Sequence, residues 1–485
     1  MKELRESGSK VVLFEMNEVP FRILDNFCKA YPKSHIARCS PHFARYSTFS
    51  EESGHLSPWR TWPSVHRGVN DGKHEIFDIG QDLSLIDKEH PSIWQILTSN
   101  GVSAGVFGSL HTYPLPASQS NYSFYVPDVF AVDKTCIPEQ VEAFQGFNLA
   151  MCRASARVVD KGIAMKSAAQ VIVNARKLGF TPETAFLILK QLLGERFNDS
   201  RKVRRRSFQA SLSFDVYMKL LQSRRPQFTT FFTNHVASSL HRFWAASFPE
   251  DYDEYGYTQE WKNTFSGEID FSLKLLDSML GRLFKFADNN PDYEVWMTSS
   301  MGQAATEANP KTSALLPLNL PKFMEAMGLS SADWESRPAM LPQVNVKVDN
   351  AKFDNFVQKL KSIKVKSVPL EVNTGVNGFV SMVWGQFNLE NETDFVTVDE
   401  QLVSLDELGL DFQYCESDST STAYHIPQGT LMIYRPKKAA AVSVDSGLGL
   451  NRQSPSEIST LDIAPAILQK FGVKQPSYMN KACAI

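Results

Sequence analysis

Residues 56–81 read LSPWRTWPSVHRGVNDGKHEIFDIGQ, and a guanidinium (Arg60), two hydroxyls (Thr61, Ser64) and an imidazole (His66) fall close together within them. A core segment shows apolar periodicity, whereas this one gathers Trp, His, Ser, Thr and Arg around Pro58 and Pro63. On one strand-to-helix turn such a cluster can supply a nucleophile, an anion contact and a proton carrier. The plainer alternative is a surface loop with a hydrogen-bonded Trp pair.

More polar groups stand where apolar runs stop. Residues 11–14 (VVLF) precede Glu15, Asn17 and Glu18; 227–233 (QFTTFFT) precede Asn234 and His235, with His241 following in LHRFW. Residues 293–298 (YEVWMT) end in Ser299, Ser300 and Met301, and His425 precedes 429–434 (GTLMIY). If these runs are strands of one parallel sheet, their carboxyl ends share an edge, where open α/β sheets bind ligands. Glu15 and Glu18 also read as acids complementing a helix dipole, and the histidines as unrelated buried side chains.

The elements that must position these groups follow from the rest of the chain. A helix is expected over 21–30, another from Ser92 to the Asn100-Gly101 stop, and a strand over 102–107. That βαβ order predicts a doubly wound, mostly parallel sheet. The core would comprise 1–137, 226–303 and 416–485. From 138 to 225 the pattern is helical, with Thr181 as a cap before Pro182, and reads as an insertion serving as a lid. Its run Arg201, Lys202, Arg204, Arg205, Arg206 suits an anionic substrate, or more plainly a solvated face. Residues 304–415 read as a small α+β insertion, 265–287 as a helix, and 457–471 as a closing helix started or kinked at Pro465.

The 485 residues, 43% hydrophobic and 21% charged with a net charge of -3, predict a globular protein without general affinity for nucleic acid. Six scattered cysteines with no CxxC argue for reduced thiols and a cytoplasmic location. MKELRESGSK lacks the apolar run of a signal peptide, no stretch reaches the length of a membrane span, and ACAI places its Cys one position too late for a prenylation box.

The order of these pieces resembles the alkaline phosphatase superfamily, in its type I phosphodiesterase/nucleotide pyrophosphatase and sulfatase-like branch. The resemblance covers most of the chain outside the two insertions. VVLFEMNE is similar to the opening strand with its acidic metal ligand, which puts Glu15 or Asn17 in that place. PWRTWPSVHRG resembles the nucleophile motif, with Thr61 the best match and Ser64 the second. Lys73-His74-Glu75 stands for a downstream His-Gly, and TNHVASSLHRFW for an Asp-x-x-x-His ligand pair that keeps His241 but has Ala237 for the Asp. Ser299-Ser300-Met301-Gly302 stands where the family has Ser-Asp-His-Gly, His425 and Gly429 match the final His, and LDIAPAILQKFGV is similar to the terminal helix.

The resemblance implies an alkaline phosphatase-like fold and a hydrolase acting on a phosphate or sulfate ester, of phosphodiesterase or phosphatase type. Thr61 or Ser64 would attack, and Arg60 or Asn17 would hold the anionic oxygens. The family's second cation would need Glu15 or Asn17, Thr61, Ser300 and Met301; a thioether and alcohols are poor ligands for it, so one metal at most is expected. A single zinc would sit on His241, His425 and either Asn234 or His235, the last inferred from its position alone. The substrate would be a small anionic ester or a carbohydrate. The alternatives are an inactive relative that binds an anionic ligand or partner, and a group transferase acting on carbohydrate.

Overall fold

The computed structural model describes residues 9–154, 165–253, 256–306, 313–340, 343–387, 396–414, 421–436 and 456–480. Cys415, Cys483, the ACAI ending and residues 155–164 of the helical stretch lie outside the described residues.

Six strands, β1 (Lys10–Met16), β2 (Phe43–Phe49), β3 (Ala104–Phe107), β4 (Tyr122–Val126), β5 (Phe228–Thr233) and β6 (Tyr293–Thr298), join Gln428–Tyr434 and Ser456–Ser459 in one eight-stranded sheet. Its order is Ser456–Ser459, β2, Gln428–Tyr434, β6, β1, β5, β3, β4. Every neighbour pair is parallel except the two made by Gln428–Tyr434. This is the mostly parallel α/β sheet expected. Because Gln428–Tyr434 runs the other way, its start lies level with the other strands' ends: Gly429 is opposite Thr48, and Leu431 opposite Thr298.

The central strand β1 has no polar side chain from Val11 to Phe14, so it can be covered on both faces. Side chains alternate across a strand. Val12, Phe14 and Met16 therefore join one apolar cluster, with the helices Phe21–Ala30, Arg205–Arg224 and Glu268–Asn289, while Val11 and Leu13 join the opposite one. That second cluster holds Trp62 and Val65 of the helix Pro58–Arg67, with residues of Ile93–Ser99 and Ile463–Lys470. In Arg205–Arg224, Phe214 and Tyr217 pack on Phe14 and Phe231, so this helix is a layer of the fold. Pro465 falls in the first turn of Ile463–Lys470, where its missing N–H costs nothing, so it starts the helix without kinking it.

The basic run is occupied by the fold's own groups. Arg204 pairs with Glu268, Arg205 with Glu195 and Lys202 with Asp199, while Arg206 donates to Ser238. Four of its five cations are thus engaged within the fold, while Arg201 is exposed.

Residues 314–410 gather a third apolar cluster of their own, from Ala314 to Leu410. Flanking this unit in the chain, β7 (Gly302–Ala305) and Ala423–Ile426 pair as a two-stranded antiparallel ribbon in which Gln303 is opposite His425. The helix His235–Ser247 rests on the ribbon: Thr422 N–H donates to the His241 carbonyl, and Ala245 N–H to Thr422 Oγ1.

Candidate metal centre

Glu15 on β1 and Asn17 just past its end, where Asn17 N–H still donates to Thr233 O, are two residues apart and project from the same side, about 6.6 Å apart along the chain. Trp62 and His66, one turn apart on Pro58–Arg67, are spaced about 6 Å along the helix. The two spacings match. Trp62 Nε1–H donates to Asn17 Oδ1 at 2.7 Å, and His66 Nε2 meets Glu15 Oε1 at 2.8 Å. Pro63 inside this helix has no N–H for the Trp59 carbonyl, and His111 Nε2 takes up that oxygen at 2.9 Å.

Just beyond β1 the chain turns at Glu18, whose φ of 58° lies in the left-handed region that a non-glycine residue adopts at a cost of roughly 1–2 kcal/mol. The turn carries the Glu18 side chain into the fold, where the residue is 2% exposed. Its Oε1 accepts from Asn17 Nδ2 at 2.7 Å; its Oε2 lies 2.8 Å from His241 Nε2 and 3.3 Å from His425 Nε2, and also accepts from Gln303 Nε2.

Backbone carbonyls hold both imidazoles from behind. His241 Nδ1–H donates to Ala423 O and His425 Nδ1–H to Leu56 O, each at 2.7 Å. With Nδ1 protonated, each neutral ring keeps its lone pair on Nε2, and both Nε2 atoms face one carboxylate oxygen. A proton on a ring, or a cation among the three, must relieve that meeting of lone pairs. Without a cation, burial alone would raise the Glu18 carboxyl, but the charges of His425 and His241 and their hydrogen bonds outweigh it and hold its pKa well below the ordinary value. One ligand atom from each of Glu18, His241 and His425 lies within 4.8 Å of the others. Two imidazoles oriented by carbonyls and one carboxylate are a donor set that suits zinc or a similar dication, three protein ligands being one fewer than a tetrahedral ion takes.

The cluster adjoins the Thr61 hydroxyl through the backbone: Leu56 O holds His425, and the next carbonyl, Ser57 O, accepts from Thr61 Oγ1 at 3.1 Å. Thr61 is fully buried and its Oγ1 lies 2.8 Å from Ser300 Oγ. These two hydroxyls pair with each other, while Met301 is buried. Asn17, engaged by Trp62 and Glu18, also donates to Asn234 Oδ1 at 2.7 Å, which places the exposed Asn234 amide beside the cluster.

Other expected site residues lie elsewhere. His235 was expected beside His241, but six residues at 100° each put the two on different sides of a helix. Its Nδ1 meets Thr233 Oγ1 at 2.7 Å, its Nε2 faces Ser272 O, and burial lowers its pKa to about 4. Asn234, seven residues before His241, shares its side. Glu15 is turned to His66 and lies outside the His241–His425 cluster. Arg60 is engaged by Asp71 at 3.3 Å and lies over the Phe77 ring.

Ser64 belongs to a separate network. His74 Nδ1 accepts the Ile76 N–H, so its proton is on Nε2, which donates to Ser64 Oγ at 2.9 Å; Ser64 in turn donates to Glu52 Oε2 at 3.0 Å. Burial, chiefly, lowers the His74 pKa to about 3, so the ring is neutral and offers Ser64 no base. Glu18 and Gln303 are the residues missed as ligand and as its support. The sequence signal for Glu18 is its place with Glu15 and Asn17 after VVLF, and that for Gln303 its place in the polar stretch that ends the 293–298 run.

No family model matches the chain, and no curated protein matches it. Among solved structures it is similar to murine ectonucleotide pyrophosphatase/phosphodiesterase 5, at 11% identity and a TM-score of 0.41 over 98% of both chains. It is also similar to phosphonoacetate hydrolase from Sinorhizobium meliloti 1021 in complex with phosphonoacetate, at 12% identity and a TM-score of 0.43 over 96% of both. A third is a TAB5 alkaline phosphatase mutant with Mg bound in its M3 site, at 10% identity and a TM-score of 0.37 over 96% of this chain and 98% of that one.

Proposed function

We propose that this chain is a one-metal enzyme of the hydrolase type that acts on a small anionic ester, a phosphate or a sulfate, with Glu18, His241 and His425 as the ligands of a zinc ion. The observation that carries the reading is the pair of imidazoles whose Nδ1–H groups are committed to Ala423 O and Leu56 O while both Nε2 atoms converge on Glu18 Oε2. A bound dication would supply positive charge to an ester oxygen. Gln303 and Asn17 hold the two Glu18 oxygens in place, and the exposed Asn234 amide beside them is a donor for an anionic oxygen. Thr61 is the attacking hydroxyl of this reading. We place the enzyme in the cytoplasm on the pattern of its cysteines; Cys28, Cys39, Cys136 and Cys152 are thiols outside any disulfide.

One observation favours a second reading, a binding protein for an anionic ligand: Thr61 is fully buried and its contacts are a carbonyl and a hydroxyl, neither of them a base. Two measurements separate the readings. Elemental analysis of protein purified without chelator should give one zinc per chain, lost in His241→Ala and His425→Ala. Turnover of a chromogenic phosphodiester or sulfate ester should be abolished by Thr61→Val with the metal retained. Absence of metal would overturn the centre; metal without any turnover would leave the binding protein.

A further inference from the structure

The helix Pro182–Glu195 is built inside out. The residues it buries are Thr184, Gln191 and Glu195. Named bonds fix that orientation: the Thr181 hydroxyl caps Thr184, Gln191 donates to Glu195 and to Arg201 O, and Glu195 pairs with Arg205. Turned outward are Phe186 (65% exposed), Leu189 (56%) and Leu193 (55%), continued by Phe197 (88%); Ile172 (72%) and Val173 (85%) are exposed too, at the end of the helix Met165–Val173. Contiguous exposure of this kind, held in place by a satisfied polar face, marks a contact surface.

Charge selects the occupant. Lys190 and Arg196 stand exposed beside these apolar residues, and Arg176 and Lys177 are exposed in the preceding turn of chain, against the exposed acids Glu183 and Asp199; Asp199 is paired with Lys202. A second copy docking by two-fold symmetry would bring this basic rim against itself, so self-association is disfavoured. The apolar side chains also protrude from a helix surface instead of lining a cleft, and a fluid acyl layer accepts protruding Leu and Phe side chains. Cations on long stems beside them match anionic headgroups. No helix among the described residues is long and apolar enough to cross a membrane, so the contact is a surface one.

We infer that the outward face of Pro182–Glu195, with its basic rim, docks the protein on an anionic lipid surface. The inference stands apart from the metal centre, to which the chain after the patch is tied through Val203, whose carbonyl accepts from Arg242.

The test is cosedimentation of the full chain with vesicles of phosphatidylcholine alone and of phosphatidylcholine with phosphatidylserine, at low and high salt. The expected result is pelleting with the phosphatidylserine vesicles only, weakened by salt. Phe186→Ser with Phe197→Ser, and separately Lys190→Glu with Arg196→Glu, should each lower partitioning by roughly tenfold or more. All four positions are exposed, and unchanged circular dichroism would show that the variants fold. Should either misfold, Leu189→Trp supplies an independent reading, its added indole fluorescence being quenched by brominated acyl chains. Wild-type protein left in the supernatant, pelleting unchanged in both double variants, or added fluorescence that stays unquenched in Leu189→Trp would overturn the inference. So would a dimer in sedimentation equilibrium that Phe186→Ser dissolves, because a second copy would then own the patch.

Discussion

Glu52 offers a sharp test of how charge is arranged around Pro58–Arg67. Its Oε2 accepts from Ser64 Oγ and from Asp71 N–H at 2.9 Å, and its Oε1 from Ser50 Oγ at 3.3 Å. Burial is the main influence on the carboxyl and, despite those hydrogen bonds, raises its pKa to about 7 from an ordinary 4.5. A carboxyl raised in the folded state destabilises the protein once it must ionise. The penalty is absent below the unfolded pKa, grows as pH rises through the interval, and is complete above the folded value. At 1.36 kcal/mol per pH unit it reaches roughly 3 kcal/mol at pH 8, an upper bound because part of the side chain meets water, and about a quarter of that at pH 5. Glu52→Gln removes the charge and keeps the contacts: its carbonyl can take the place of Oε2 and its amide can donate to Ser50. The variant should therefore melt above the wild type at pH 8, by a few degrees, with the gap shrinking steadily towards pH 5. Paired thermal melts over that range are the assay. A variant equally destabilised at both ends would mean that Glu52 acts by its hydrogen bonds alone, and the charge reasoning would fall.

The remaining predictions concern the centre. Glu18→Gln should lower zinc affinity at least as much as His241→Ala, read by competition with a chromogenic chelator, since each removes one of three ligands. Trp62→Phe deletes the Nε1–H that holds Asn17 and should weaken zinc by about tenfold, the low end of effects for groups that orient ligands; unchanged affinity would detach Asn17 from the centre. His235→Gln should leave zinc stoichiometry intact, because its ring faces Thr233 and Ser272. Zinc affinity should fall on acidification, because a histidine or carboxylate must be deprotonated to hold a metal; a flat profile would remove both histidines from the ligand set.

The sheet was legible because its strands are short apolar runs that stop at polar residues, a pattern periodicity reveals directly. Thr181-Pro182 marked its helix start correctly, the threonine side chain accepting from Thr184 N–H. The site was legible by position more than by role. His241 and His425 are legible together because each follows or flanks an apolar run in the order that the family resemblance implies. Glu18 was passed over because a carboxylate two residues beyond a strand looks the same in sequence whether it caps a helix or turns inward at positive φ. Arg60 and the 201–206 run misled for a related reason: a cation's partner, here Asp71, Glu268 or Glu195, lies far off in sequence or on another face, and composition does not reveal pairing.

The placement of β1 bears on how the chain is made. Both of its neighbours, β5 and β6, come late, and β5 begins about 210 residues after β1 ends. At a synthesis rate of roughly 5–20 residues per second, that segment takes on the order of 10–40 s to emerge, during which an apolar strand has neither edge paired. Its centre cannot be sealed until β6 has also left the ribosome. The nascent chain thus exposes this central apolar strand for much of its synthesis, and overexpression should be limited less by the stability of the finished fold than by how well chaperones shield residues 10–16 in the interval.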